Sequence, residues 1–564
     1  MNTEIIGIIF IFLVTIIVAI PFGKYCAKVL ADGGTWSDFL EPFERMIYRL
    51  SGIDPERTMD WKGNSVAMLV VNSIFFLLAM IILLTQSSHP FWNPDGIASM
   101  EITTAFNTAI SFMTNTNLQH YSGETGASYL TQLLVFCFLQ FVSAGTGIAA
   151  MALLFNGIQR GSTTQLGNFY KLLVRSCTRI LLPVSFVVAL VLVWQGTPST
   201  FDGAQTIITL EGDTVNVARG PVAPMVAIKQ VGTNGGGFFG PNSTHPFENP
   251  TYFSNVVENF AILIIPIALV FAFGFYMHKP KLGYAFFITM TVLFVIFCSL
   301  SVYLEMEGNP KITAMGIDNS MGNMEGKETR IGAAASSFWG VSTTSTSNGS
   351  VNSMHDSHTT LSGGIFMLDM MINAVYGGVG VGFINFFVFI VIGVFISGLM
   401  VGRTPELFGK KIESKEVKIA ALVAIAHPFL ILVSTAIASY VQANNPDIGW
   451  LNNPSYHGFT EMLYEFTSSS ANNGSGFEGL ADANPFWNIM CGMVMLLGRF
   501  IPIIGPLAIA GSLASKRYIP ESSGTLKIDS VAFNAVLLCV IIIIAALSFF
   551  PALTLGPIAE YFSI

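Results

Sequence analysis

The chain has 564 residues, of which 52% are hydrophobic and only 11% carry a charged side chain, a composition outside the usual range of soluble domains. The formal net charge of −8 comes without clusters of basic and aromatic residues, which argues against nucleic-acid binding. The six cysteines lie mostly in or beside apolar stretches and predict no disulfide framework. One large helical membrane domain is therefore predicted.

Ten apolar runs are long enough to cross a bilayer, which takes about 20 apolar residues per helix. They lie near 5–22, 64–85, 128–157, 180–195, 260–277, 283–303, 365–401, 419–442, 486–513 and 531–549. The first run resembles a signal peptide but has no basic leader and is followed by Lys24 and Lys28, so it is interpreted as a retained span. The predicted fold class is an all-α polytopic membrane protein with ten transmembrane helices.

The positions of lysine and arginine predict the orientation of these helices. With the N-terminus outside, most of the 26 basic residues fall in cytoplasmic loops and their flanks, as the positive-inside rule requires. The outer loops then hold Arg219, Lys229, Lys311, Lys327 and Arg330. Both termini are therefore predicted to be extracytoplasmic.

Four outer loops each contain a short apolar or small-residue segment that is too short to cross and that ends in a turn rich in Asn and Gly. The segments are 100–113, 222–232, 332–346 and 458–470. The turns are loop 1 (Thr114–Asn117), loop 2 (Thr233–Gly237), loop 3 (Ser347–Ser350) and loop 4 (Ala471–Ser475). A single such turn could be an ordinary surface turn, but four turns in register with four helix pairs favour re-entrant pore loops.

The turns recur at intervals of about 120 residues when they are counted on Asn115, Asn234, Asn348 and Asn473. Each turn has one span before it and one after it, which predicts four helix/pore-loop/helix pseudo-repeats. The predicted division is a first helix with its cytoplasmic loop (1–62), repeats at 63–178, 179–281, 282–417 and 418–517, and a last helix (518–564).

Irregular backbone at membrane depth survives only where protein buries it or a watery path runs beside it. Each short helix would direct its negative C-terminal end inward, and ion filters use rings of backbone carbonyls. Glycine permits the required turns, while asparagine tolerates left-handed geometry and offers a side-chain oxygen as well. The four loops therefore predict a cation filter.

Two further features are candidates for controlling a pore. The long run 365–401 is interrupted by Gly377, Gly378, Gly380 and Gly382, which predicts a broken helix that serves in gating or in close helix packing. Arg499 stands among apolar residues, where a charge must face the bundle interior. The hypothesis is that Arg499 lies on the cytoplasmic side of the filter and pairs with the broken helix or blocks cation escape, with a purely structural pairing as the alternative.

Other chemistry in the sequence is sparse. His355 and His358 carry metal-ligand side chains but are interpreted as a solvated surface, and His427 is interpreted as structural. Asp369 lies inside a span, which makes it a functional hypothesis. Because no phosphate-binding signature is present, this polypeptide is not expected to hydrolyse ATP itself.

Five stretches resemble the potassium-binding A subunits of the bacterial Kdp potassium-transporting ATPases. They are 114–124 (TNTNLQHYSGE), 232–250 (GTNGGGFFGPNSTHPFENP), 323–330 (NMEGKETR), 402–411 (GRTPELFGKK) and 556–561 (GPIAEY). These long strings are much more specific than a short motif, and they follow the expected order over nearly the whole chain.

The resemblance implies a member of the superfamily of K+ transporters that binds potassium with high affinity in the bacterial plasma (inner) membrane. It implies a P-type ATPase, the B subunit of the Kdp complex, which uses the ATP, together with a C subunit, a small F subunit and a tunnel that carries K+ to the ATPase. Matched by position, the filter residues are Thr114, Asn115, Thr116, Asn117, Thr233, Asn234, Gly235, Ser347, Asn348, Gly349, Asn472, Asn473 and Gly474. Gln119 matches a position that influences potassium affinity in the family.

The sequence departs from familiar members at Leu118, Asn348 and Ala471, where tryptophan, cysteine and asparagine can occur. These changes leave the filter glycines in place, so selectivity for potassium over sodium remains the prediction. One alternative is a free-standing, gradient-driven cation channel of the same superfamily, and another is a membrane scaffold or enzyme. An enzyme would need converging acid, base or metal groups, and the sequence offers only isolated ones.

Overall fold

The computed structural model describes residues 3–402, 405–519 and 527–563. Within those ranges, ten helices are long and apolar enough to cross a membrane, which confirms the predicted number. They are Thr3–Leu30, Trp61–Ser88, Tyr129–Gln159, Phe169–Gln195, Tyr252–Tyr276, Pro280–Ala314, Val381–Met400, Ser414–Asn444, Pro485–Ser515 and Val531–Ser563. Arg403 and Thr404, from one stretch that carries the family resemblance, and 520–526, from the predicted last segment, lie outside the described residues.

Four short helices lie between pairs of long helices, and each leads into one of the four loops. Short helix 1 is Ile102–Met113, short helix 2 is Val222–Val231, short helix 3 is Ala333–Ser345 and short helix 4 is Tyr456–Ala471. The order of long helix, short helix, loop and long helix therefore occurs four times in the described part of the chain. The boundaries of the repeats, from 63 to 517, remain predictions.

The other regular elements are short. A helix at Glu41–Ser51 precedes the second long helix. In the described ranges, six strands form three antiparallel pairs. The pairs are Met59–Asp60 with Gln165–Gly167, Gln205–Ile208 with Thr214–Val217, and Glu406–Leu407 with Lys410–Lys411. These strands have two to four residues each, so the all-α fold class stands.

Several helices begin and end where local chemistry predicts. Asp60 caps the second long helix by accepting a hydrogen bond from the Gly63 backbone N–H at 2.8 Å. Asn484 precedes Pro485 and accepts from the backbone N–H groups of the following turn, which satisfies donors that have no partner inside the helix. Gly196 ends the fourth long helix in the left-handed conformation, with φ of 108°.

The first long helix lies at the edge of the bundle. Gly23 allows it to pack closely on Tyr252–Tyr276, because a Cβ added at Gly23 would lie 2.5 Å from the Ala268 carbonyl oxygen. On another side of the same helix, Phe10 and Ile17 are exposed. A helix with one packed side and one apolar exposed side is suited to lipid.

The run 365–401 does not form one span. It divides into a helix at Thr360–Ile372, an irregular segment at 373–380 and the membrane-length helix that begins at Val381. Gly377, Gly378 and Gly380 adopt φ values of 51°, 89° and 83°, a region that costs other residues conformational energy. The predicted broken helix is therefore present, and the part of the run that is long enough to cross the membrane is Val381–Met400.

Candidate functional site

Each short helix ends in a left-handed turn at the start of its loop. Asn115, Thr233 and Ser347 lie two positions after the last residue of short helices 1, 2 and 3, respectively. Their φ values are 68°, 47° and 46°. Asn472 takes the corresponding place after short helix 4, with φ of 53°. This turn stops the helix, so its last carbonyl groups face the loop with the negative end of the helix dipole.

The four loops meet at one point. The Gly235 backbone N–H of loop 2 donates to the Thr116 carbonyl oxygen of loop 1 at 3.1 Å. A Cβ added at Gly235 would lie 2.6 Å from that oxygen and 2.9 Å from the Asn473 carbonyl oxygen of loop 4. A Cβ added at Gly349 of loop 3 would lie 2.0 Å from the Asn473 carbonyl oxygen. A Cβ added at Gly474 of loop 4 would lie 2.0 Å from the Thr116 carbonyl oxygen.

Three glycines from three loops therefore line the meeting point, and each lies where a side chain would strike a neighbouring carbonyl. Gly349 and Gly474 also have positive φ, at 83° and 105°. Close approach of backbone groups from separate loops is what a ring of carbonyl oxygens needs. The predicted loops are thus brought together as the sequence analysis expected.

The register between the loops differs from the predicted one by one residue. Because Asn115 occupies the left-handed position of Thr233, Ser347 and Asn472, the true counterpart of Asn234, Asn348 and Asn473 is Thr116. Counting the repeat on Asn115 was wrong. Asn117 then occupies the place of the three loop glycines Gly235, Gly349 and Gly474, and it adopts a positive φ of 56°.

The asparagine side chains hold the loops to neighbouring elements. The Asn348 amide donates to the Lys229 carbonyl oxygen at 3.2 Å, and the Asn473 amide donates to the Thr343 carbonyl oxygen at 2.8 Å. The Oδ1 atoms of both residues accept from the backbone N–H of the serine two positions later. The side-chain oxygens of these two residues are therefore engaged within the protein, and the expectation that asparagine offers a side-chain oxygen to an ion stays a prediction.

Loop 1 is tied to loop 2 by two side chains. The Asn115 amide donates to the Thr233 carbonyl oxygen at 2.7 Å. Gln119 pairs with the backbone of Gly237, because its amide donates to the carbonyl oxygen at 3.0 Å and its Oε1 accepts from the N–H at 2.8 Å. Gln119 therefore positions the two loops.

The loops are lined by neutral groups and are withdrawn from solvent. The side chains of Thr116, Asn117, Asn234, Asn348 and Asn473 are all buried. Both polar side-chain atoms of Asn117 lack a hydrogen-bond partner among the described residues. The backbone carbonyl oxygens of Thr116 and Asn473 lie at the meeting point beside the loop glycines.

The irregular segment 373–380 lies against the loops. The Gly377 N–H donates to the Ser345 carbonyl oxygen at 2.7 Å, and the Val379 N–H donates to Thr233 Oγ1 at 3.1 Å. Gly382 belongs to the helix that follows. The predicted glycine break is thus placed against loop 2 and short helix 3, and its role in gating stays a prediction.

Arg499 is buried, as its place in an apolar span required, and Nη2 donates to the Ser143 carbonyl oxygen at 2.9 Å. A Cβ added at Gly147 would lie 2.3 Å from the Val379 carbonyl oxygen and 3.3 Å from Arg499 Nη2. Arg499 and the irregular segment therefore approach the same residue. The roles proposed for Arg499 from sequence remain predictions.

A buried ionic group that was not predicted from the sequence lies behind loop 2. Lys229 of short helix 2 forms an ion pair with Glu248, and its Nζ also donates to Asn242 Oδ1 at 2.7 Å. Asn242 in turn donates from its amide to the Gly235 carbonyl oxygen at 2.5 Å. The signal was present as a lysine inside an otherwise apolar short segment, which sequence reasoning counted only as an outer-loop charge.

His355 and His358 were wrongly expected at the solvated surface, since both are buried. His355 Nδ1 lies 2.9 Å from the Tyr464 hydroxyl. His358 Nδ1 lies 3.4 Å from Glu305, which also pairs with Lys327 at 3.0 Å. Burial lowers the pKa of both histidines, helped by the nearby positive charge of Lys327.

The remaining polar residues in apolar segments brace the backbone around the loops. Asp369 is buried and accepts from Ser345 Oγ at 2.5 Å and Thr344 Oγ1 at 3.0 Å at the end of short helix 3. His427 lies 2.8 Å from Ser470 Oγ and 3.1 Å from the Met370 carbonyl oxygen. These contacts agree with the structural interpretation of His427.

The fold and the loops define the class of protein, a polytopic membrane protein with the architecture of known potassium transporters. The crystal structure of the potassium transporter TrkH from Vibrio parahaemolyticus superposes with a TM-score of 0.53, over 89% of this chain and 98% of that chain. The sequence identity is 14%, so this likeness concerns the fold alone.

The sequence comparisons are more specific. Residues 9–562 match the family model described as "Potassium-transporting ATPase A subunit". Relatives named potassium-transporting ATPase potassium-binding subunit include those of Flavobacterium psychrophilum, 58% identical over all of both chains, and Geobacillus kaustophilus, 47% identical over 98% of each. The chain belongs to the family of potassium-transporting ATPase A subunits.

Proposed function

We propose that this chain is the high-affinity potassium-binding and translocating subunit of an ATP-driven uptake complex. It selects K+ where loops 1 to 4 meet and passes the ion to a P-type ATPase partner. The observation that carries the proposal is the approach of backbone carbonyl groups and glycines from all four loops to one buried point. Family membership supports potassium as the ion.

The ion-binding residues are those that the resemblance identified, with a distinct part for each type. Backbone carbonyl groups replace the hydration shell of the ion, and the glycines permit their approach. The side chains of Asn115, Asn348 and Asn473 hold the loops in place.

The other subunits of the complex would supply the ATP hydrolysis that drives transport. The proposed partners are the P-type ATPase, or B subunit, which uses ATP, the C subunit and the small F subunit of the Kdp complex, all held in the bacterial inner membrane. The distribution of lysine and arginine supports an arrangement with both termini extracytoplasmic. The loops then form an entrance from outside.

Transport by reconstituted vesicles tests the proposal against a free-standing channel. We expect rubidium uptake only when the copurified ATPase partners and ATP are present. As the matched control, the complex is supplied with a non-hydrolysable ATP analogue. Rapid, ATP-independent rubidium flux from the purified chain alone would establish the gradient-driven channel instead.

Gln119→Ala is expected to weaken potassium binding by up to roughly thirtyfold, because it removes two hydrogen bonds of about 1 kcal/mol each between Gln119 and the backbone of loop 2. Gln119→Glu keeps the acceptor for the Gly237 N–H and should lose less. Isothermal titration with KCl measures both. An unchanged affinity for potassium in Gln119→Ala would show that Gln119 does not position the loops.

Arg499→Gln is expected to change the rate of ATP-driven rubidium uptake more than the affinity for rubidium. The reason is that Arg499 contacts Ser143 and approaches the irregular segment, whereas the proposed ligands belong to the loops. Arg45→Gln, at an exposed arginine, is the matched control. Equal rates, affinity and stability in Arg499→Gln and the unchanged complex would exclude Arg499 from the mechanism.

A further inference from the structure

A second polar cluster lies beside loop 1 and is separate from the meeting point of the loops. His120 follows loop 1, Glu465 lies on short helix 4, and Cys491 lies near the start of the long helix Pro485–Ser515. All three side chains are buried. His120 Nε2 lies 3.1 Å from Glu465 Oε1, and Cys491 Sγ lies 3.6 Å from the same oxygen.

The orientation of His120 is fixed by its other ring nitrogen. His120 Nδ1 lies 2.7 Å from Asn488 Oδ1. The Asn488 amide donates to Thr103 Oγ1 at 3.0 Å and to Thr104 Oγ1 at 3.2 Å, so its oxygen must face the histidine. With His120 donating from Nδ1, the Nε2 atom faces the glutamate oxygen, either with a proton between them or, when the ring is neutral, with its lone pair. This is how proteins commonly orient a metal-binding histidine.

Two lone pairs that face each other across 3.1 Å in a buried site need a cation between them, either a proton or a metal ion. A thiol next to them adds a third donor that becomes a good ligand once it loses its proton. We propose that His120, Glu465 and Cys491 form a binding site for a single Zn²⁺-like divalent transition-metal ion.

The distances suit that ion. With Zn–N, Zn–O and Zn–S bonds of about 2.0, 2.1 and 2.3 Å, tetrahedral geometry separates N and O ligands by about 3.4 Å and O and S ligands by about 3.6 Å. The observed separations are 3.1 Å and 3.6 Å, and all three ligand atoms lie within 4.8 Å of one another. Small side-chain movements are enough to admit the ion.

The charges also balance. One thiolate and one carboxylate neutralise a divalent cation, so the occupied site carries no net charge in a buried setting, where an unbalanced charge is costly. Binding releases the thiol proton of Cys491 to solvent, together with any proton held on His120 Nε2. The mixture of sulfur, imidazole and carboxylate ligands favours Zn²⁺ over Mg²⁺ or Ca²⁺, which prefer oxygen ligands alone.

Asp482 marks an access route to the site, and the fourth ligand position is open to a neutral water molecule. Asp482 Oδ2 lies 3.8 Å from His120 Nε2, and the Asp482 side chain is 28% exposed whereas that of His120 is fully buried. An ion can therefore enter from the solvent side past Asp482. Once bound, the ion would connect the segment after loop 1 with short helix 4 and the long helix that follows.

The purified complex, stripped of metal with a chelator, is titrated with Co²⁺ and with Zn²⁺. We expect one equivalent of Co²⁺ to give the intense absorption of a thiolate-to-cobalt transition, and Zn²⁺ to displace it. Cys491→Ser should abolish that absorption, and Cys491→Ser and His120→Gln should each weaken Zn²⁺ binding by at least about tenfold. The controls are Cys539→Ser, at an exposed cysteine, and His89→Gln, at an exposed histidine.

The spectrum of the unchanged protein decides the question even if a variant fails to fold, and rubidium binding checks the fold of each variant. A complex that binds no Co²⁺ or Zn²⁺ stoichiometrically would overturn the proposal. So would a cobalt spectrum without a thiolate band, which is the result expected if the metal binds instead at Asp356, His457 and Glu461, the other group of suitable side chains in the described residues.

Discussion

Replacement of Gly235 by aspartate is expected to abolish high-affinity potassium binding. The new Cβ would lie 2.6 Å from the Thr116 carbonyl oxygen and 2.9 Å from the Asn473 carbonyl oxygen, and the carboxylate would add a buried charge next to the proposed ligands. A loss of about 3 kcal/mol or more of binding free energy corresponds to a dissociation constant for potassium that is larger by roughly a hundredfold or more. Isothermal titration of the purified complex with KCl and RbCl measures it.

Two variants make this result specific. Gly34→Asp adds the same side chain at an exposed glycine, where the nearest atom to the new Cβ is 3.7 Å away, and it should bind potassium normally. Gly349→Ala adds only a methyl group, 2.0 Å from the Asn473 carbonyl oxygen, and should also lose binding. Normal affinity and selectivity in Gly235→Asp would contradict the assignment of the loops as the filter.

Lys229→Met is expected to cause the largest loss of stability among the proposed variants. The ammonium group pairs with the buried Glu248 carboxylate and donates to Asn242 and Ser243. Removal of one partner from a buried pair leaves an uncompensated charge and costs about 3–5 kcal/mol. The measurement is the midpoint of thermal unfolding of the complex in detergent, with rubidium binding as a second readout.

The double variant Lys229→Met with Glu248→Gln separates the charge from the packing. It no longer buries an unpaired carboxylate, so it should recover part of the stability that Lys229→Met loses. Because Asn242 connects Lys229 to the Gly235 carbonyl oxygen, the single variant should also weaken rubidium binding. If both variants unfold at the temperature of the unchanged complex, the pair has no structural importance.

The long apolar spans were predictable because lipid imposes a simple requirement of length and composition. The number of helices was therefore correct, and so was the interruption near Gly377. The residues where helices end depend on local capping and on tertiary contacts, which hydropathy does not report. The fourth span, for example, was predicted at 180–195 but begins at Phe169.

The approach of the loops was predictable from four similar turns, whereas their register was not. Aligning the loops on their asparagines took no account of the backbone conformation, in which Asn115 of loop 1 is equivalent to Thr233 of loop 2. The use of the Asn348 and Asn473 side chains as ties also depends on which carbonyl groups of neighbouring helices lie within reach. Such long-range contacts leave no periodic signal in one sequence.

Burial of polar residues was the least predictable feature. His355 and His358 stand in a polar stretch, yet a buried network around Glu305 surrounds His358. Polar composition predicts exposure only for isolated groups, because groups that satisfy one another can be buried together. The same reasoning applies to Lys229 and to the cluster around His120.

The most direct test is a structure of the complex with Rb⁺, in which the ion is located by anomalous scattering or cryo-electron microscopy. We expect one dehydrated ion between the four loops, coordinated by backbone carbonyl oxygens from each loop, with the Asn348 and Asn473 side chains turned away. An ion bound elsewhere, or held by side-chain oxygens from fewer than four loops, would contradict this expectation.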